Sequence, residues 1–333
     1  MAPHSREQPV CAPRDGRIIP QGAARDPDCI GDPAVSPNPR HGTPDGDAVL
    51  AIRGLARATG GDVQELQTLY VLEAFLARIA ASGHRDDFVL KGGVLLAAFA
   101  LRRPTKDIDL QATGLANDAD DVAERVRAIA SIDMADGVVF DVESVGATAI
   151  RDEDEYAGVR VRLVGHLGRS RVTIGIDVNF GDPIGPAPTV VEVPRLLALG
   201  QEGIRLLGYP LTMVLAEKII TMLDRGEANT RWRDFADVYT LTRSRDVGAS
   251  VLRASFETVA RYRGVELKPL LPALAGMPAL AQAKWAAWRR RTGRLDDLPE
   301  TFSEVLAAVS EFADPVLGSQ AVHRWDPSAR RWD

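Results

Sequence analysis

The spacing of apolar residues changes along the chain and separates it into regions. Between residues 47 and 81 apolar residues recur every three or four positions, which predicts two amphipathic helices, Asp47–Thr59 and Asp62–Ala81. A buried helix is predicted at Val94–Leu101. Alternating or β-branched stretches predict five strands, at Phe88–Leu90, Lys106–Gln111, Val138–Val145, Gly158–His166 and Arg171–Asn179.

Beyond residue 200 helical patterns replace the strand pattern. They predict five helices, at Pro210–Arg225, Thr230–Arg243, Val247–Tyr262, Pro278–Arg291 and Glu300–Phe312. Residues 1–46 carry nine of the 21 prolines and keep neither period, which predicts a disordered leader. We therefore expect an α+β fold in three parts: the leader at 1–46, an α+β core at 47–200 and an all-helical half at 201–333.

Composition places the 333-residue chain among globular proteins, with 45% hydrophobic and 26% charged residues. The net charge of −6 excludes a generally basic nucleic-acid coat, but it leaves a local basic patch open. Apolar runs are far shorter than the roughly 20 residues of a membrane helix, and the N-terminus lacks the apolar segment of a secretory signal. The two cysteines, Cys11 and Cys29, exclude a disulfide framework. We expect a cytoplasmic protein with no membrane segment.

Two short motifs carry the chemistry of the front half. Lys91-Gly92-Gly93 is followed, after thirteen intervening residues, by Asp107-Ile108-Asp109. On a strand Asp107 and Asp109 point to one face, with their side chains about 7 Å apart, and Ile108 points into the core. Such carboxylates suit a hard divalent cation. Glycines at a helix start let backbone amides approach a triphosphate. Alone, an Asp-x-Asp strand is more often a solvated face.

Asp177 is the candidate for a third carboxylate. It lies in a predicted strand between apolar neighbours, Ile176 and Val178. Divalent ions held by three carboxylates can stabilise both the attacking and the leaving oxygen of a phosphoryl transfer. The other reading is a polar residue at a strand end.

These motifs resemble those of a known enzyme family. The order strand, Gly92-Gly93, helix, turn, Asp107-Ile108-Asp109 and a later single Asp is similar to the polymerase-β-like nucleotidyltransferases. The longer stretches Phe88–Gly93 and Arg102–Asp109 are more narrowly similar to the AbiEii/AbiGii nucleotidyltransferase toxins, which include the mycobacterial MenT toxins. Ala216–Lys218 and Arg231–Tyr239 resemble the second block of that family, so the resemblance covers about residues 60–245.

The resemblance implies a polymerase-β-like core with a mixed sheet that needs Mg²⁺ or Mn²⁺ and uses an NTP. It implies transfer of NMP to an RNA acceptor, the 3′ end of tRNA, which blocks translation, and a cognate antitoxin as partner. Many relatives have Gly-Ser where this chain has Gly92-Gly93, which leaves open how the triphosphate is held. The residues that the resemblance assigns to the metal are Asp107, Asp109 and Asp177, and those assigned to the nucleotide are Lys91, Gly92, Gly93, Arg103, Thr105, Asp234 and Asp237.

Lys218 interrupts an apolar stripe of a predicted helix, between Leu215 and Ile219. Its charge has to be paired by a carboxylate, reach a triphosphate across a cleft, or extend along the stripe to water. The resemblance favours a catalytic lysine beside the nucleotide. Asp234 and Asp237 share one face of the next helix, either as its partners or as structural partners of Arg231 and Arg233.

A basic and aromatic cluster closes a late helix. Trp285 and Trp288 precede Arg289, Arg290 and Arg291, which predicts contacts between these arginines and a nucleic acid. The alternative is core tryptophans with a solvated helix end. Three functions stay open: an RNA nucleotidyltransferase toxin, a small-molecule nucleotidyltransferase, or a non-catalytic nucleotide-binding regulator. The presence of Asp107, Asp109, Asp177 and Lys218 argues against the regulator.

Overall fold

The first two helices of the computed structural model, which describes residues 38–151 and 157–333, begin at sequence-encoded caps. Helix α1 spans Pro44–Thr59, and the Thr43 side chain accepts a hydrogen bond from the Gly46 N–H. Helix α2 spans Val63–Ala81, with Asp62 accepting from the Glu65 N–H. Helix α1 thus begins three residues before the predicted start. Residues 1–37 of the predicted leader lie outside the described residues, so its disorder stays a prediction.

Seven strands form one mixed sheet in the order β3-β4-β5-β2-β1-β7-β6. Strand β2 is antiparallel to β1 and parallel to β5, so it lies near the middle. Helix α2 packs against β5 and β7, and a further helix, α4, packs against β3. The elements of this half are β1 (Phe88–Lys91), α3 (Gly92–Leu95), β2 (Asp107–Ala112), α4 (Ala119–Ala130), β3 (Val138–Arg151), β4 (Ala157–Leu167), β5 (Ser170–Asn179), β6 (Thr189–Val193) and β7 (Ile204–Gly208).

The predicted α+β class is confirmed, and the structure differs from the sequence pattern in several details. Strands β6 and β7 are short, and the sequence pattern did not predict them. The predicted helix over 94–101 is wrong in extent: α3 ends at Leu95, and a single 3₁₀ turn follows over Leu96–Phe99. Ala100 has a positive φ of 60°, which no α-helical residue adopts, so the chain turns there.

Helices make up most of the chain after β7. Helix α5 packs against α7, and α10 packs against α6, α8 and α9. A small sheet, ordered β10-β9-β8, ties the C-terminus to this half, where Trp325 is buried against Phe312. The elements are α5 (Leu211–Arg225), α6 (Trp232–Thr242), β8 (Val247–Gly248), α7 (Ala249–Arg263), α8 (Leu270–Ala273), α9 (Met277–Arg291), α10 (Phe302–Leu317), β9 (Arg324–Asp326) and β10 (Arg331–Trp332).

One cluster of buried apolar side chains extends through both halves, from Ala48 to Trp325. The last strand of the large sheet, β7, lies just past residue 200 and is joined to α5 by only two residues. The helices of the second half are therefore held close to the edge of the sheet where α3 begins. The division of the chain at residue 200 stays a prediction.

Candidate active site

The predicted strand face is present on β2. Ile108 and Leu110 are buried at 0% and 1% exposure, whereas Asp107 is exposed and Asp109 is half-buried. Strand β5 runs parallel to β2 in a register that places Asp177 directly beside Asp109. Partners in adjacent strands project to the same face, about 5 Å apart. The fold therefore brings all three predicted carboxylates to one face of the sheet.

Glycines make room for the two β2 carboxylates. Gly92, at a φ of 67°, begins α3, and a Cβ added there would lie 1.9 Å from Asp109 Oδ2. The next amide, that of Gly93, donates a hydrogen bond to the same oxygen at 3.3 Å. Gly175 lies beside Asp107 in the register, and a Cβ added there would lie 2.2 Å from Asp107 Oδ1. Sequence reasoning missed Gly175, because only the register shows that it faces a carboxylate.

A hydroxyl stands beside Gly93 although residue 93 has none. Thr105 Oγ1 lies 3.1 Å from the position that a Cβ of residue 93 would take, and Arg103 Nη1 lies 3.5 Å from it. The turn before β2 therefore supplies a hydroxyl and a guanidinium to the start of α3.

The carboxylates carry charge that the chain neutralises only in part. Burial raises the pKa of the Asp109 carboxyl, and the neighbouring Asp177 and Asp107 carboxylates raise it further. Arg160 on β4 binds Asp177 through both oxygens, with Nε 2.8 Å from Oδ1 and Nη2 2.6 Å from Oδ2. Asp107 and Asp109 are bound by no cation at contact distance in the described part of the chain. Excess negative charge therefore remains at Asp107 and Asp109.

This donor set fits a hard divalent cation at Asp107 and Asp109, because carboxylate oxygens are the ligands such ions prefer. Within residues 38–151 and 157–333, no group of three or more His, Cys, Asp or Glu side chains is arranged to hold a metal ion. At this face the Arg160 pair already uses both oxygens of Asp177. The residues that would hold Mg²⁺ here are thus Asp107 and Asp109, together with oxygens of a bound triphosphate.

Lys91 borders the same site from β1. Its Nζ lies 2.6 Å from Asp182 Oδ2 and 3.8 Å from Glu217 Oε1, and its side chain is 9% exposed. Burial lowers the pKa of the Lys91 ammonium, but the Glu217 and Asp182 carboxylates outweigh burial, and the net pKa is raised. Lys91 is therefore a fixed positive charge. Asp182 gave no signal in the sequence, because it belongs to no local motif, and Glu217 was assigned no role although it lies in the stretch Ala216–Lys218.

On the helical side, Lys218 of α5 is clamped between two carboxylates of α6. Its Nζ lies 2.9 Å from Asp234 Oδ1 and 2.8 Å from Asp237 Oδ2. Of the alternatives for its charge, pairing by carboxylates is the one observed, and extension to water is wrong. Burial lowers the pKa of the Lys218 ammonium, but Asp237 and Asp234 outweigh burial, and the net pKa is raised. The ammonium stays charged.

Two arginines complete this cluster. Arg231 Nε donates to Asp234 Oδ2 at 2.7 Å, and Arg103 Nε lies 3.2 Å from Asp237 Oδ1. Burial alone would raise the pKa of the Asp234 carboxyl, but Lys218 and Arg231 outweigh burial, and the net pKa is lowered. Three cations thus face two buried carboxylates, and the cluster carries a net positive charge. It joins the turn before β2 to α5 and α6.

The front and helical sides enclose a cleft of about 640 Å³. Asp177 and Asp237 are not among its lining residues. Arg160 binds Asp177, and Asp237 is fully buried. The predicted site residues that line the cleft are Lys91, Gly92, Gly93, Arg103, Thr105, Asp107, Asp109, Lys218, Asp234 and Arg291.

Comparison with known proteins agrees with this assembly. The profile of the family described as "Nucleotidyl transferase AbiEii toxin, Type IV TA system" matches residues 74–308, which include both motif blocks. The chain belongs to the AbiEii nucleotidyltransferase toxin family. It is therefore a nucleotidyltransferase toxin of a toxin–antitoxin system, with an NTP as substrate and an antitoxin as partner.

Solved structures with a similar fold cover most of this AbiEii-family chain. The nucleotidyltransferase toxin MenT4 from Mycobacterium tuberculosis H37Rv is 20% identical, with a TM-score of 0.48 over 80% of this chain and 97% of that one. A Helicobacter pylori protein described as a nucleotidyltransferase is 14% identical, with a TM-score of 0.44 over 78% and 97% of the two chains. The curated proteins contain no significant match.

The arginines predicted to contact nucleic acid divide into buried and exposed ones in this AbiEii-family toxin. Arg289 is buried, and its Nη2 donates to the Leu298 carbonyl at 2.8 Å, so it is not available as a nucleic-acid contact. Trp285 is a core residue, as the alternative reading has it. Arg290 and Arg291 are exposed, and for them the contact stays a prediction.

A second cavity of about 700 Å³, which we call the basic groove, adjoins the cleft. It shares six lining residues with the cleft: Arg103, Thr105, Asp107, Arg233, Trp288 and Arg291. Lys106 and Arg294 add positive charge, while Asp62 and Glu65 of α2 add negative charge at its border.

Among the helices that the structure describes, none is long and apolar enough to cross a membrane.

Proposed function

We propose that this toxin transfers NMP from an NTP to the 3′ end of an RNA acceptor, a tRNA, in a Mg²⁺-dependent reaction that blocks translation. The observation that carries the proposal is the position of Asp107, which lines both the cleft and the basic groove. An NTP in the cleft and an acceptor in the groove would meet at this carboxylate. The oxygen of the acceptor hydroxyl then bonds to the α-phosphorus while the bond between that phosphorus and the α–β bridging oxygen breaks. Pyrophosphate leaves, and the hydroxyl proton passes to water.

The cleft has the charge that a triphosphate requires. Lys218, Arg103 and Arg231 form its net positive cluster on the helical side. Thr105 supplies the hydroxyl beside Gly93, where many relatives carry a serine. We infer that the Thr105 hydroxyl donates a hydrogen bond to a phosphate oxygen. A bound Mg²⁺ would neutralise phosphoryl oxygens as charge develops on them. The chain's own residues position the two reactants and supply the positive charge.

The basic groove supports a polyanionic acceptor rather than a small molecule. Lys106, Arg233 and Arg291 are exposed there, and no carboxylate of the described residues pairs with them. Unpaired surface cations bind successive phosphates and give the salt-dependent affinity of nucleic-acid binding. A small acceptor would not need three such cations in the groove that Asp107 lines.

The test is the transfer of radiolabel from each α-labelled NTP to total tRNA. We expect labelled tRNA with the wild-type protein and Mg²⁺, and none with Asp109→Asn or with EDTA. Periodate-oxidised tRNA lacks the 3′ hydroxyl and should stay unlabelled. Labelling of oxidised tRNA would reject the 3′ end as the acceptor. A wild-type protein that labels no tRNA but modifies small molecules would support the alternative function, that of a small-molecule nucleotidyltransferase.

A cell-free translation reaction separates the toxic effect from the chemistry. Wild-type protein should stop synthesis of a reporter, and fresh tRNA should restore it, because the modified tRNA is the missing component. Asp109→Asn should leave translation unchanged. Inhibition that fresh tRNA does not relieve would reject tRNA as the target.

A further inference from the structure

Four charged side chains form a row across four adjacent strands of the large sheet. Arg160 on β4 lies beside Asp177 on β5, Asp177 lies beside Asp109 on β2, and Asp109 lies beside Lys91 on β1. Register partners project to one face, about 5 Å apart. The row therefore has a cation at each end and two carboxylates between them. The carboxylates of Asp177 and Asp109 lie next to each other in the middle, beside Asp107.

Arg160 closes one end of this row with a bidentate ion pair. Both nitrogens of its fork bind Asp177, at 2.8 and 2.6 Å. Hydrogen bonds to Asp177 raise the pKa of the Arg160 guanidinium, and the charges of Asp177, Asp107 and Asp109 add to the effect. A divalent cation at Asp107 and Asp109 would be attracted to the same Asp177 oxygens. The guanidinium and the divalent cation therefore compete for one carboxylate.

The two ends of the pair differ in exposure. The Asp177 side chain is 15% exposed, whereas that of Arg160 is 50% exposed. An exposed arginine regains its hydration when it leaves a carboxylate, so the net cost of release is small. Lys91, at the other end of the row, is buried and held by Asp182 and Glu217. Of these two terminal cations, Arg160 is the one that can swing into solvent at low cost.

We propose that Arg160 is a positioning residue that holds Asp177 in the metal-free protein and is displaced when a divalent cation binds. In this role Arg160 keeps the carboxylate in place and sets the affinity of the site for the ion. The inference rests on the proposed function in one respect, namely that Asp107 and Asp109 hold a divalent cation.

The experiment is a Mn²⁺ titration of the full chain without nucleotide, followed by electron paramagnetic resonance. Arg160→Met removes the competing cation, and the affinity for Mn²⁺ should rise about fivefold, the scale of an exposed ion pair. Arg160→Lys keeps the charge but cannot form the fork, so its affinity should lie in between. In an Asp177→Asn background, Arg160→Met should change the affinity by less than twofold, because Arg160 acts mainly through Asp177.

Arg162 provides the matched control. It lies two residues further along β4, on the same face, and is exposed, but its register partner is Gly175 rather than a carboxylate. Arg162→Met removes the same charge without breaking the pair and should change Mn²⁺ affinity by less than twofold. An equal gain from Arg160→Met and Arg162→Met would reduce the effect to net charge and overturn the proposal.

Other outcomes are equally decisive. Unchanged or weaker Mn²⁺ binding by Arg160→Met would overturn the proposal while leaving the metal site in place, and a lower melting temperature alone would assign Arg160 a structural role. If neither the wild type nor any variant binds Mn²⁺, either alone or with a non-hydrolysable NTP analogue present, the metal site itself is rejected, and the proposed Mg²⁺ dependence fails with it.

Discussion

The ammonium charge of Lys218 is paired with carboxylates inside the protein and does not project freely into the cleft. Two buried carboxylates hold its ammonium, and Asp237 also contacts Arg103. Its long side chain is 13% exposed, so only a small part of it faces the cleft. Removal of such a lysine leaves two carboxylates buried with fewer partners, and this should cost stability.

Lys218→Ala should therefore lower both stability and activity. We expect a loss of about 3 kcal/mol in the free energy of unfolding, as when one partner of a buried ion pair is removed. Transfer should slow by a factor on the order of 10², because a preorganised charge beside the triphosphate is lost. Urea unfolding and NMP-transfer kinetics measure the two effects. Lys268→Ala, on an exposed loop, is the control. Wild-type kinetics in a folded Lys218→Ala protein would restrict Lys218 to a structural role.

The pKa of Asp234 predicts a pH dependence of stability. Lys218 and Arg231 lower this pKa below its ordinary value, so the group stabilises the fold above its unfolded pKa and loses that contribution as pH falls through the folded pKa. Asp234→Asn should cost about 2 kcal/mol at pH 7, the scale of a hydrogen bond to a charged group. The gap between variant and wild type should narrow below pH ~4, the ordinary range of an aspartate.

Unfolding free energies at a series of pH values test this prediction. Asp224→Asn, an exposed change on α5, should show no gap at any pH. A gap between Asp234→Asn and the wild type that stays constant from pH 7 to pH 3 would contradict the ion-pair explanation.

At the scale of elements, the junction between β1 and α3 fixes the site. Gly92 has a positive φ and lies so close to Asp109 that a Cβ would overlap the carboxylate. The Gly93 amide donates a hydrogen bond to the same carboxylate. The first turn of α3 therefore orients the Asp109 carboxylate, the proposed metal ligand, as well as facing the cleft. A short helix is enough for this, because only an amide of its first turn, that of Gly93, contacts the carboxylate.

Gly92→Ala should displace Asp109 and abolish transfer. The added methyl would lie 1.9 Å from Asp109 Oδ2, so the carboxylate has to move. Gly60→Ala is the matched control, since Gly60 has a φ of 68° with no atom within 4 Å of an added Cβ. Both changes should cost about 1 kcal/mol of backbone strain, but Gly60→Ala should keep wild-type transfer. Equal activities of the two variants would show that Asp109 needs no fixed position.

At the scale of the whole molecule, the cleft and the basic groove are two cavities joined at one carboxylate. The sheet supplies Asp107, and the helices α6 and α9 supply Arg233, Trp288 and Arg291. These three residues lie 126 to 184 positions after Asp107 in the sequence. The relative positions of the proposed donor and acceptor sites therefore depend on the packing of the helical half against the sheet.

Lys106→Gln tests the groove without altering the cleft, because Lys106 lines only the groove. Binding of single-stranded RNA should weaken, and the slope of log affinity against log salt should fall by about 0.7, the value for one phosphate contact. Affinity for NTP should not change. Fluorescence anisotropy at several salt concentrations measures both ligands, and Lys284→Gln, exposed on α9, is the control. An unchanged slope would remove Lys106 from the acceptor path.

The sequence by itself determined the features that depend on local pattern. The period of apolar residues located α2, β1, β2 and β5, and Asp62 predicted the start of α2. Strand alternation alone placed Asp107 and Asp109 on one face with Ile108 beneath them, as the burial of Ile108 confirms. Short motifs also sufficed to suggest the family, because glycines and carboxylates at fixed spacing impose local backbone geometry.

Only the tertiary structure decided which distant groups meet. The register of β2, β5 and β4 paired Arg160 with Asp177 and placed Gly175 against Asp107. The packing of the helices placed the carboxylates of Asp234 and Asp237 against Lys218, and it directed the Arg289 side chain towards backbone carbonyls. These contacts join residues of different elements, and their free energy depends on distance and burial that no local pattern encodes. The charge of the site is therefore a property of the fold, although each charged residue is visible in the sequence.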